Sequence, residues 1–177
     1  MGRKGIWLRA ILVLALFVAG FLAGSFLQDK VLDTNPEGPA GGVDHACPRS
    51  HGWWKNHTDG WTVDSLRLGA HGYTRTLLVE ILGMATGGDA SVILGRQLIA
   101  AKLNVASGSD DSAAADSISR ADDLLDGFVG PLPYRIHAST AEGQAMVAVG
   151  AVLEDYNLGQ LTPGCESGPG PDGPGGP

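Results

Sequence analysis

Between Asp89 and Ser107 the chain is apolar on two opposite sides of what its spacing marks as one helix. Asp89 is placed to cap the N-terminus, and Ser107-Gly108 to stop the helix. At the helical period Val92, Ile99, Leu103 and Ala106 share one face, while Leu94, Leu98, Ala101 and Val105 share the other. A helix with two apolar faces needs neighbours on both. The rest of the folded region must therefore surround it. Gln97 and Asn104 lie seven residues apart, on a seam between those faces. Buried amides need partners, so this pair reads as a buried polar seam that pins neighbouring loops to the helix.

Three shorter helical patterns flank it. Thr74–Leu82 turns Leu77, Leu78, Ile81 and Leu82 inward and ends at Gly83. Ser112–Phe128 carries the stripe Ile118, Ala121, Leu125 and Phe128, with Asp110, Asp111 and Asp116 at its positive end. Asp122, Asp123 and Asp126 read as a solvated face, since they lack calcium-loop spacing. After the break at Gly130-Pro-Leu-Pro-Tyr134, Ser139-Thr-Ala-Glu142 reads as a capping box. It opens a helix to about Tyr156 with Met146, Val149, Val152, Leu153 and Tyr156 inward. The expected fold is all-α, a compact bundle of about four helices around the central one at 89–107. Before them lies an irregular segment rich in Trp and His.

Basic residues Arg3, Lys4 and Arg9 precede an uncharged apolar run, Ala10–Leu27. Positive flanks stay in the cytoplasm, which places the remainder outside. The run is long enough for a single-pass anchor. It is equally an h-region that would be cut after Ser25, at Ala23-Gly-Ser25, releasing a secreted protein. Leu22-Ala-Gly-Ser25 has Ser where a lipidated Cys would stand. The chain thus divides into a signal or anchor (1–27), a Gly/Pro linker (28–46), a folded domain (47–165) and a Gly/Pro tail (166–177). The tail is too poor in apolar residues to order itself. A chain of 177 residues supports one such domain with a core. With 12 Lys and Arg against 19 Asp and Glu, net charge is −7. That balance argues against nucleic-acid partners.

The two cysteines, Cys47 and Cys165, bracket the domain. Outside the cytoplasm such a pair is expected to form a disulfide. It would close the domain over its opening segment, where Trp53, Trp54 and Trp61 lie close to His45, His51 and His57.

Three stretches carry a resemblance. They are Cys47-Pro-Arg-Ser-His-Gly-Trp-Trp-Lys-Asn-His57, Gly88-Asp-Ala-Ser-Val-Ile-Leu-Gly-Arg-Gln-Leu-Ile-Ala-Ala-Lys-Leu-Asn104, and Leu161-Thr-Pro-Gly-Cys165. In this order they resemble an uncharacterised domain of exported bacterial and archaeal proteins, with the pattern C-x-x-S-x-G-[YW]-W-K-N-H, R-Q-L-I-A-A-K-L-N and L-T-P-G-C. The match runs from Cys47 to Cys165. Trp53 stands where that pattern more usually has Tyr. The resemblance implies a cell-surface or extracellular setting and lends no activity.

No nucleophile elbow, zinc-protease helix or phosphate-binding glycine loop is present. No catalytic residue or cofactor is therefore assigned. Ser50 near His51 and His57 is a dyad in sequence only. His51 and His57 are the candidates for a metal-dependent hydrolase, but six residues apart they match no ligand motif. His71, Asp59 and Asp64 could join them. Trp53, Trp54 and Trp61 could form a platform for sugar rings. Asn56-His-Thr58 fits a glycosylation sequon. The reading preferred over these two is a non-catalytic module. It is tethered to the membrane through residues 10–27, and its partner is an extracellular protein or glycan.

Overall fold

The structure, a computed structural model, describes residues 46–165. The expected signal or anchor, nearly all of the linker and the Gly/Pro tail lie outside the described residues. Among the described residues no helix is long and apolar enough to cross a membrane.

The elements run α1 (His51–Asn56), a 3-10 turn (Thr58–Gly60), β1 (Ser65–Leu68), β2 (His71–Thr74), α2 (Arg75–Gly83), α3 (Ala90–Ala106), α4 (Ala115–Asp126) and α5 (Ala141–Asn157). The chain is helix-rich. Cys47 and Cys165 form a disulfide, 118 residues apart in sequence, with Cα atoms separated by 5.6 Å.

α3 is the expected central helix. Asp89 caps it by accepting from the Ser91 amide at 2.9 Å. Twelve of its 17 residues are buried, which leaves it no solvent face of any width. It packs most extensively against α5 and also touches α1, α2, α4 and β1. On α5, Met146, Leu153 and Tyr156 are fully buried. Gly150 lets that helix approach the Leu94 backbone of α3. Val152, expected inward, stays partly exposed, as does Leu77 on α2.

Helices alone do not describe residues 57–74. β1 and β2 pair antiparallel with Leu66 opposite Tyr73 and Leu68 opposite His71. Leu68 and Tyr73 are buried. The alternation in Ser65-Leu-Arg-Leu68 is the signal for this hairpin, too short to stand out among turns. Gly69 opens its two-residue turn with φ of 56°, which a right-twisted hairpin favours at that position. A Cβ on Gly69 would also lie 2.7 Å from the Asp126 amide nitrogen.

Three boundaries differ from expectation for local reasons. The segment after Cys47 is not wholly irregular, because Ser50 caps α1 by accepting from the Trp53 amide at 3.2 Å. α4 starts three residues late. The Asp110 carboxylate takes the Ser112 amide at 2.9 Å and holds a turn there. The cap of α5 is Thr140, whose hydroxyl accepts from Gly143 at 3.0 Å. Ser139 instead lies 2.7 Å from His137 Nδ1, so the capping box with Glu142 does not form.

Candidate functional site

The polar seam of α3 is buried, and its amides pair with one another through Asn157. Asn104 Oδ1 accepts from the Arg49 amide at 2.7 Å and the Trp54 indole at 2.9 Å. Its Nδ2 donates to the Arg49 carbonyl and to Asn157 Oδ1, both at 2.9 Å. Asn157 Nδ2 donates in turn to the backbone carbonyl and to Oε1 of Gln97, at 3.0 Å each. One chain of amides thus links the segment after Cys47, α3 and the end of α5. Asn157, the last residue of α5, is a member of this chain.

The indoles divide. Trp54 and Trp61 are 3% and 5% exposed, and the Trp61 indole donates to the Trp54 carbonyl at 3.0 Å. They are core residues and cannot present a flat platform. Trp53 is half-buried. His57 stacks on it with ring centroids 4.3 Å apart, the Arg49 guanidinium sits 5.4 Å from its centroid, and Trp54 meets it edge-on. Two of the three platform candidates are therefore inside, and the third is already stacked upon.

The two histidines do not converge on one function. His57 Nδ1 lies 2.9 Å from the Trp53 carbonyl and donates to it. His51 Nε2 lies 2.6 Å from the Arg96 guanidinium. Its Nδ1 faces Gln97 Nε2 at 3.5 Å. Burial, then the Arg96 charge, holds the His51 imidazole below the ordinary histidine range, with Lys55 acting the same way and Glu154 opposing. His71 Nε2 meets the Phe128 carbonyl and the Gly130 amide, at 3.0 and 3.1 Å. Asp64 pairs with Arg75 at 2.8 Å, and Asp59 is exposed in the 3-10 turn. His45 lies outside the described residues. Among the described residues no three His, Cys, Asp or Glu side chains gather as a metal set. Ser50 is occupied as a helix cap.

A groove lies where no candidate was placed from sequence. It has a volume of about 560 Å³ and runs between β1 and α4 over the C-terminal half of α3. Leu66, Val105 and Ile118 are its apolar lining, with Ser65, Arg67, Asp111 and Ser119 around them. At its base Lys102 pairs with Asp122 at 2.6 Å, the side chains 17% and 31% exposed. Lys102 also donates to the Arg67 carbonyl, 2.6 Å away. Asp122, expected on a solvated face, is therefore an ion-pair partner that also accepts from the Gly69 amide at 2.9 Å. The signal was Lys102 itself, the one ammonium on an otherwise buried helix, which demands a counter-charge.

The hairpin register fixes what β1 offers the groove. The Arg75 amide donates to the Asp64 carbonyl at 2.8 Å. Bonded and non-bonded pairs alternate from there, so Leu66 and Leu68 bond to β2. The backbone groups of Ser65 and Arg67 then point away from β2. Lys102 takes the Arg67 carbonyl. The Ser65 amide and carbonyl and the Arg67 N–H remain as edge groups. In comparisons with protein-family models, curated proteins and solved structures, no match to the chain is found.

Proposed function

We propose that this protein is an exported, membrane-tethered module, a helical bundle around α3 that binds a partner or fills a structural role without catalysing a reaction. The observation that carries the reading is the Cys47–Cys165 disulfide at the two ends of the folded region. Such bonds persist in oxidising compartments. The basic flank and apolar run at 10–27 support the same side of the membrane. Membrane fractionation of the full-length chain, with thiol labelling of Cys47 and Cys165, tests it. Carbonate-resistant protein with both thiols blocked is expected. Free thiols in the mature protein would overturn the export reading. Soluble protein beginning at Phe26 would replace the tether by a cleaved signal.

The partner's surface is the groove between β1 and α4. An extended segment laid along β1 can bond to the edge groups of Ser65 and Arg67 and set an apolar side chain against Leu66, Val105 and Ile118. A photo-crosslinker at Ser119 in the native membrane should capture a discrete adduct. The same probe at Glu80, exposed on α2 and outside the groove, should not. Equal labelling from both positions would remove the groove as the partner site.

A further inference from the structure

The amide chain across the core has a direction. Arg49 N–H and the Trp54 indole are donors only, and both meet the same atom of Asn104. That atom is therefore its oxygen, and the nitrogen faces Asn157. Asn157 in turn must offer oxygen to Asn104 and nitrogen to Gln97. Gln97 then has its oxygen committed, and its NH₂ is what faces His51. On the other side of the imidazole stands Arg96, also a donor only.

Both ring nitrogens of His51 thus face donors. A neutral imidazole satisfies one of them, and distance selects which. The 2.6 Å contact makes Nε2 the acceptor. The proton is left on Nδ1, 3.5 Å from a Gln97 nitrogen that is itself a donor and cannot accept it. An imidazolium, with N–H on both nitrogens, satisfies neither. Arg96 has no short alternative, since its other contact is to the Met84 carbonyl at 3.4 Å and its Nε is buried without an acceptor.

We propose that His51 is a proton-operated latch between α1 and α3. Neutral, its Nε2 accepts the Arg96 hydrogen bond that ties the two helices together. When Nε2 takes a proton from solvent, that bond is lost, a second cation stands against the guanidinium, and α1 loosens. The charged groups facing the ring are Arg96 from α3, Lys55 from α1 and Glu154 from α5, and of these Glu154 alone favours the proton. The other histidine near α1 does not act this way. His57 Nδ1 donates to a carbonyl, a bond that both of its protonation states keep.

Two readings on the oxidised full-length chain in neutral detergent test the latch. The first is the ¹⁵N spectrum of the imidazoles near neutral pH, where His51 should be the Nδ1–H tautomer. The second is amide exchange, corrected for intrinsic rates, at about pH 7.5 and about pH 5, either side of the ordinary histidine range. Exchange at Trp53–His57 should rise several-fold on acidification relative to Leu98–Leu103, because the loosened segment binds the proton more readily than the latched one. His51→Gln supplies an oxygen that accepts from Arg96 but does not titrate, and should hold the change below about twofold. An Nε2–H tautomer at His51 would overturn the proposal whether or not the variant folds. So would wild-type exchange that does not respond to pH, or an equal response in His51→Gln.

Discussion

Asn104 satisfies two donors and two acceptors from one buried amide. Leucine has nearly the same size and none of that capacity. Asn104→Leu leaves the Arg49 backbone, the Trp54 indole and the Asn157 oxygen unpaired, at about 1–3 kcal/mol for each group that water cannot reach. A total loss of about 3 kcal/mol or more is expected in urea denaturation. An unchanged midpoint would mean that those groups re-pair elsewhere. Tyr156 makes a different residue-scale statement. Burial, followed by the charges of Asp111 and Asp110, pushes its phenol up to about 12 from 10. The folded chain therefore holds this proton more tightly than the unfolded one. Its contribution is complete below pH 10 and is lost as pH rises through about 12. Two units correspond to about 2–3 kcal/mol. Tyr156→Phe should flatten stability across that alkaline window and leave the acid limb unchanged, which denaturation at stepped pH would show.

At the scale of elements, α1 is the dependent one. Six residues are too few to persist as a helix without tertiary contacts. Those contacts are the Asn104 bonds, the Arg96–His51 bond, the buried Trp54 and the disulfide three residues before the Ser50 cap. Cys165→Ser should therefore speed amide exchange first at Trp53–His57 and last at Leu98–Leu103. Identical protection in mutant and wild type would show that packing alone orders α1. The contrast also explains what the amino-acid pattern revealed. α3 was legible because its Asp89 cap, two apolar faces and amide seam agree. α1 was not, since His51-Gly-Trp-Trp has no helical period of its own and takes its shape from Ser50 and α3. β1 and β2 were missed for a similar reason, with only Leu66, Leu68 and Tyr73 to mark an inner face. The groove could not be read at all, because Leu66, Val105 and Ile118 come from three elements and meet only after folding. The tryptophans misled for the opposite reason. Clustered in sequence, they pack at different depths.

At the scale of the whole domain, the described residues from Cys47 to Cys165 form one covalent loop, a ring closed by the disulfide. The chain enters at Cys47 and leaves at Cys165 across a Cα gap of 5.6 Å. Tension applied between the chain before Cys47 and the chain after Cys165 would run through the sulfur–sulfur bond. It would bypass every helix between them. Pulled by its two ends in an optical trap, the oxidised protein should stretch with no unfolding step from the span between cysteines 118 positions apart. After reduction, the same pull should release about 40 nm of hidden length, at about 3.5 Å per residue. A step of that size before reduction would show that the ring is open. With the ring closed, a module held at one end and loaded at the other keeps its groove and its aromatic core mechanically unloaded. Its folded shape then does not depend on the force carried between the two ends of the chain.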